Sequence, residues 1–357
     1  MHLSVLLAGT SNSVLNQGFS WAFEHHSSIK FVNASLGSSC SANAAWVVAT
    51  KDIENFDFVI IDLTNNDEHQ YTHGHTSVDR VLNSIFTLVE MCAEKNVIPV
   101  VVSFPRVLYF EAKRPIHDAV LSACRRLGIA TFDMYSVIER AFRCSVYPVA
   151  IDTYFMDEAH LKPVISRFLG YKLITILNEI KASGKVSSEN VAQSFRRIIY
   201  NDFSNIAGSE GLVRESRIVA QKFSLLLLDR MYVSPINTAG DIVALHSNAA
   251  ESCAGIYIDG KRAMGPNPES LGEKRWKLLS VIRPLPNPIS ASESVGIHID
   301  DEKSLGEECK YEIAGIVVQS NTITEALKVS STPLSNMEIS NRFSFDILNE
   351  LNVIAAG

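Results

Sequence analysis

Short apolar runs alternate with amphipathic stretches through the first half of the chain. Runs rich in Val, Ile and Leu at His2–Ala8, Ile29–Ala34, Phe58–Asp62, Val97–Ser103 and Ala130–Phe132 predict buried strands. Helical stretches lie between them at Ser13–His26, Ser41–Thr50, Ser77–Glu94 and Ala112–Leu127. Two more follow, at Ser136–Arg143 and Lys162–Ala182. Such alternation predicts a parallel sheet covered by helices on both faces. Right-handed crossovers make it doubly wound, so the expected fold class is α/β.

The pattern changes between residues 184 and 212. Ser183-Gly184 and Ala207-Gly208-Ser209-Glu210-Gly211 bracket a mixed segment that could hold a connecting helix. Beyond it, Phe223–Leu228, Ile242–Leu245, Gly255–Ile258, Leu278–Val281, Ser294–Ile299 and Glu312–Val318 read as strands. Asp259-Gly260 reads as a tight hairpin turn. Pro284-Leu285-Pro286-Asn287-Pro288 reads as a loop or an edge feature, and Asp300-Asp301-Glu302 as a solvated turn. The expectation is an α/β unit at 1–185, a connecting segment at 186–212 and a C-terminal β-sandwich at 213–357.

Composition narrows the class. A length of 357 residues suits two domains, and 46% hydrophobic residues allow large cores. A net charge of −7, spread over both halves, leaves no footprint for nucleic acid. No run is long and apolar enough to predict a membrane span. The six cysteines are scattered without a CxxC pair, which excludes zinc-ribbon and thioredoxin readings. Free thiols, and no basic start followed by a cleavable apolar run, make a cytoplasmic protein the expectation. The oligomeric state is left open.

In such sheets the site lies beyond the carboxyl ends of the strands. Ser11, in Gly9-Thr10-Ser11-Asn12-Ser13, follows the first strand, and Gly37 the second. Asn66, in Asn65-Asn66-Asp67, follows the third, and Arg106 the fourth. Asp157 and His160 come later, three residues apart. A serine hydroxyl needs a base to act as a nucleophile, and the base needs an orienting acid. Candidates for all three stand in the order Ser, Asp, His. Taken singly, Ser11 and Asp157 would be helix caps. The Gly-x-Ser-x-Gly elbow of other hydrolases is absent.

Four of these blocks, at Ser11, Gly37, Asn66 and the Asp157–His160 pair, resemble those of the SGNH, or GDSL, hydrolase family, over the N-terminal half only. The resemblance implies a flavodoxin-like sandwich with catalytic Ser11, Asp157 and His160. It implies an oxyanion hole made by the Ser11 and Gly37 backbone N–H groups and the Asn66 amide. Thr10 stands where the first block has an acid, and Thr64 where the third has glycine. A threonine would be a poor choice there if the backbone needed positive φ. Arg106 and Asn12 are candidate substrate contacts. With the added β-sandwich, the expected activity is that of a serine esterase on acyl esters, foremost acetyl, of a carbohydrate or polysaccharide, through a Ser-His-Asp acyl-enzyme. The same triad could serve a polysaccharide O-acetyltransferase with a donor such as acetyl-CoA, and a non-catalytic glycan-binding or scaffolding protein is the third reading. Hydrolysis needs no cofactor. His69, His73 and His75 crowd the stretch after the third strand, beside Asp67 and Glu68, without a strong ligand spacing. A solvated loop or a lid over the substrate is expected there, and no metal.

Overall fold

The computed structural model describes residues 2–62, 64–144, 150–183, 193–216, 218–265, 278–300, 309–324 and 339–356. Strands β1 (Leu3–Ala8), β2 (Ile29–Asn33), β3 (Phe58–Ile61), β4 (Ile98–Ser103) and β5 (Ala130–Asp133) form a parallel sheet. Its order is β2-β1-β3-β4-β5, so the winding direction switches beside β1. The helices are α1 (Ser11–Val14), α2 (Phe19–Glu24), α3 (Asn43–Thr50), α4 (Asn65–Thr72), α5 (Val78–Glu94), α6 (Pro115–Leu127), α7 (Met134–Cys144) and α8 (Pro163–Ser183). Successive side chains of a strand point to opposite faces. Thus Leu6, Ala8, Val59, Ile61 and Val101 share a core with α3, α5 and α6. Leu3, Val5, Leu7, Ile60 and Val102 share another with α2, α7 and α8. The single helix expected over Ser13–His26 is two short ones. Gln17 takes a left-handed φ of 57° between them, and Gly18 caps the second.

The second half is antiparallel: β6 (Phe195–Asp202), β7 (Glu210–Glu215), β8 (Ala220–Leu227), β9 (Tyr232–Pro235), β10 (Gly240–Asn248), β11 (Gly255–Ile258), β12 (Lys261–Met264), β13 (Ser280–Ala291), β14 (Ser294–Asp300) and β15 (Lys310–Thr324). One sheet runs β13-β10-β15-β8-β7, with β6 also paired to β15; the other runs β12-β11-β14-β9. Leu245, Leu285, Val295, Ile297 and Ile316 are among the apolar residues buried between them, as a β-sandwich requires. Asp259 and Gly260 turn β11 into β12, both at positive φ (48° and 72°). The proline run lies inside β13, an edge strand, where a missing N–H costs no ladder bond. Of the acidic turn, Asp301 and Glu302 lie outside the described residues.

The expected boundaries need correction. Segment 186–212 holds no helix among its described residues; it contains β6, and β7 straddles residue 213. On its free edge, β6 is satisfied by α5. The Ile198 N–H donates to Thr87 Oγ1 at 3.0 Å, and the Arg196 N–H to Asn83 Oδ1 at 3.0 Å. Such covering also blunts a sheet edge. Phe195, Ile198 and Tyr200 of β6, with Val243, Ile282 and Val317, enter the core of α3 and α5. One sheet of the sandwich is therefore wedged between the α/β unit and the other sheet.

The chain then returns. Helix α9 (Phe345–Ala356) packs on α7 and α8, so residues 339–356 belong to the α/β unit and not to the sandwich. Leu348, Leu351 and Ala355 face its core, and Asn352 Nδ2 donates to the Ala141 carbonyl at 2.9 Å. Leu351→Ala is expected to cost about 3 kcal/mol, by lost burial and the cavity left behind. Urea unfolding should show it as a lower midpoint. An unchanged midpoint would mean that α9 docks without contributing stability.

Candidate active site

Ser11 opens α1, directly beyond the end of β1. Its backbone N–H, in the first turn, has no intrahelical acceptor. A buried carboxylate shapes this turn. Asp62, at the end of β3, accepts on Oδ2 from Ser13 Oγ (2.7 Å), the Thr10 N–H (3.3 Å) and Thr10 Oγ1 (3.4 Å). Burial pushes Asp62 up to about 6, against the downward pull of those donors. Gly9 leaves the space that the arrangement needs, since a Cβ there would come within 2.3 Å of Ser13 Oγ. Thr10, which stands in place of an acid, is itself tied to one. Motif reading passed over Asp62; an acid ending the apolar run Phe58–Ile61 was the available signal.

Asp157 and His160 sit on a tight loop before α8. Phe155 and Leu161 bridge at its base, and the Met156 N–H donates to the His160 carbonyl at 2.9 Å. Asp157 Oδ1 accepts from the Ala159 and His160 N–H groups (2.8 and 2.9 Å), and both its oxygens lie 2.9 Å from His160 Nδ1. Burial alone would raise the Asp157 carboxyl; the donors from Ala159 and His160 outweigh it and hold the group below its ordinary value. With Nδ1 engaged, Nε2 is the ring nitrogen left for a substrate or a nucleophile.

Three neighbours pin the loop. The Ala159 carbonyl accepts from Asn12 Nδ2 (3.2 Å) and Asn65 Nδ2 (3.4 Å), while the Val107 N–H donates to the Glu158 carbonyl (3.0 Å). Asn12 is fully buried, which corrects its expected role. It joins the nucleophile turn to the histidine loop and lines neither cavity described below.

Asn66 lies in the first turn of α4. Thr64, its predecessor by two, has φ −95°, an ordinary helical value, so no glycine is needed there. One Asn66 Nδ2 hydrogen is given to the Ser39 carbonyl at 2.8 Å, which leaves one amide hydrogen for another acceptor. The same loop is bound from the other side by β13: the Ile282 N–H donates to Ser39 Oγ and the Cys40 N–H to the Ile282 carbonyl, both at 2.9 Å. Asp67 holds Ser41 through its N–H (2.7 Å) and hydroxyl (2.9 Å), and burial pushes Asp67 up to about 7. Cys40 is buried and its thiol pushed well up by burial, which suits a packed residue.

Ser11 stands between two cavities. The first, about 780 Å³, brings Ser11, Asn66 and His160 together with Arg106, and with Arg262 and Arg283 from the sandwich. The second, about 530 Å³, is lined by Gly37 and by apolar residues including Val14, Leu36, Ile218 and Leu279. Gly37 lines the second cavity, while Ser38, at φ 59°, lines both, as Ser11 does. Ser11 and His160 share a wall without a direct hydrogen bond, a contact that commonly tightens only with substrate bound. The stretch expected as a loop at His69 is helix α4, ended by His73 as its cap. His69 and His75 line the first cavity. Among the described residues, no group of three or more His, Cys, Asp or Glu is placed to hold a metal ion.

Neither a family model nor a curated protein matches the sequence. Solved structures do match the fold. A two-domain esterase active on acetylated mannans superposes with a TM-score of 0.60, at 13% identity, over 91% of this chain and 92% of that one. Its complex with mannopentaose gives 0.58, at 13% identity, over 90% and 92%. The chain shares the overall fold of that two-domain protein. The likeness spans both the α/β unit and the antiparallel unit of this chain. Within this fold the sandwich also builds the candidate site, because β12 and β13 contribute part of the first cavity wall. No helix among the described residues is long and apolar enough to cross a membrane.

Proposed function

We propose that this chain is a serine esterase that removes acyl groups, foremost acetyl, from a carbohydrate. The observation that carries the reading is His160 on the wall of the cavity that also holds Ser11, its Nδ1 2.9 Å from both carboxylate oxygens of Asp157. Ser11 Oγ attacks the ester carbonyl as His160 takes its proton. Asp157 fixes the imidazole tautomer and stabilises the imidazolium. The Ser11 and Gly37 N–H groups and the Asn66 amide receive the oxyanion. His160 then returns the proton to the leaving sugar oxygen. In the second half-reaction it deprotonates a water, which attacks the acyl-enzyme and frees the acid.

Proton return sets the polarity of the site. The leaving alcohol must lie on the side of His160, so the first cavity takes the sugar. The acyl group then points toward the apolar second cavity. The experiment is labelling of the folded protein by a fluorophosphonate, with the adduct mapped by mass spectrometry, beside hydrolysis of p-nitrophenyl acetate. An adduct on Ser11 and turnover are expected. No adduct on Ser11 at neutral pH would overturn the reading, and a rate that rises with an added sugar acceptor would redirect it to acyl transfer.

A further inference from the structure

We infer that the sugar ester taken by this site carries a fixed negative charge, held by Arg262 and Arg283 of the sandwich together with Arg106. The inference rests on the esterase reading and adds the substrate class. The chain is acidic, with a net charge of −7, yet its nucleophile cavity is not. Three arginines line it, and no Asp or Glu does among the described residues. Clefts lined by one sign of charge focus the field on a ligand of the other sign.

Each arginine is placed by the fold. Arg106 follows β4, its side chain only 12% exposed, and its Nε is buried without a hydrogen-bond partner. Its ion pair is with Glu158 at 3.6 Å, a side chain 78% exposed, and an exposed partner at that distance contributes little. Burial and the charge of Arg106 both push His69 down, so the neighbouring imidazole adds a neutral donor or acceptor rather than a second cation. Arg262 comes from β12, beside Gly265, where a Cβ would lie 2.8 Å from Arg262 Nη2. The bare glycine therefore leaves room for the guanidinium at the cavity rim. Arg283 comes from β13, the strand that also holds the Ser39–Cys40 loop. Asp157 is engaged with His160, and Glu158 with Arg106.

Guanidinium groups match carboxylate, sulfate and phosphate through paired N–H donors. A neutral glycan offers these groups only hydroxyl acceptors, whereas an anion pairs with them in charge-assisted bonds roughly twice as strong. The described wall also offers a neutral glycan no Trp, Tyr or Phe ring on which to stack. The shared chemistry is thus an anionic substituent on the sugar, within reach of the ester on the His160 side.

The intact chain should be assayed on acetylated polygalacturonate, an acetylated sulfated glycan and acetylated mannan, with p-nitrophenyl acetate alongside. The expected kcat/KM for one of the anionic polymers exceeds that for mannan by about 10-fold or more in low salt. Which polymer is preferred identifies carboxylate or sulfate. The preference should shrink as NaCl is raised to about 0.5 M, because salt screens the field. Arg262→Gln and Arg283→Gln should each reduce it through KM, while Arg262→Lys, which keeps the charge but not the paired donors, should retain only part of it. Ser11→Ala, titrated with an anionic and a neutral oligosaccharide, reads binding without turnover and should favour the anionic one. Equal kcat/KM on anionic and neutral glycans, with p-nitrophenyl acetate still hydrolysed, would overturn the inference and leave the esterase reading standing. Loss of p-nitrophenyl acetate hydrolysis with anionic binding retained would do the reverse.

Discussion

Ser11→Ala and His160→Ala are each expected to lower kcat for p-nitrophenyl acetate by a factor on the order of 10⁵, and the double variant by no more than either. The reason is mechanistic unity. Without the hydroxyl there is nothing for the imidazole to deprotonate, and without the imidazole the hydroxyl stays a weak nucleophile. Residual turnover would come from the oxyanion donors acting on attacking water. Asp157→Asn should cost less than either, since the asparagine can still receive the two backbone N–H groups that shape the loop. Steady-state kinetics on folded variants checks this. Losses that multiply in the double variant would contradict a shared proton-transfer unit.

Asp62→Ala should be the most damaging change outside that unit, at about 4 kcal/mol of stability and about 10² in kcat. It orphans the Thr10 N–H, the Thr10 hydroxyl and the Ser13 hydroxyl together, and each buried unpaired group costs about 1–3 kcal/mol. It also loosens the turn that aims Ser11, and small misplacements of reacting groups are expensive. The milder Asp62→Asn keeps an acceptor oxygen but cannot ionise, which gives a pH test. Burial raises Asp62 from 3.8 to about 6 in the folded protein. Between about pH 4 and 6 the unfolded chain has therefore released this proton while the folded chain retains it. Wild-type stability from this group is full below about pH 4, falls on the order of 3 kcal/mol as pH rises through that window, and is level above it. Asp67, raised to about 7, acts in the same direction. The buried His246, lowered to about 3 by burial, acts in the opposite one. Comparing wild type with Asp62→Asn cancels both. Urea midpoints at pH 4 and pH 7 should diverge in favour of the asparagine, and parallel profiles would show that Asp62 is not the group that titrates.

Much of the fold was legible because its elements carry local signals. Strands β1, β3, β4 and β5 are apolar runs buried on both faces, β2 is a half-buried edge strand, and α5 is announced by Ser77, whose Oγ accepts from the Arg80 N–H. Strand β6 was not legible. Phe195-Arg196-Arg197-Ile198 mixes charge with apolar residues because one edge meets α5 and the other β15, a context absent from local patterning. Helix α9 was missed because what it covers lies nearly 200 residues upstream, at α7 and α8. The functional residues divide the same way. Ser11, Asn66, Asp157 and His160 stand in short blocks, and the structure brings Ser11, Asn66 and His160 to one cavity. Asn12 stands in such a block too, but its side chain turned out to face inward.

The order of residues alone determined that a parallel α/β layer precedes an antiparallel one, and that a serine, an asparagine and a histidine follow the strands that could present them. Strand periodicity and loop chemistry are short-range properties, carried within a dozen residues. Tertiary structure alone decided that Asp62 sits beneath the nucleophile turn, that Asn12 ties two loops together, and that arginines from β12 and β13 line the Ser11 cavity. Those facts depend on which faces pack together, and packing is settled by the whole buried surface rather than by any one stretch of chain.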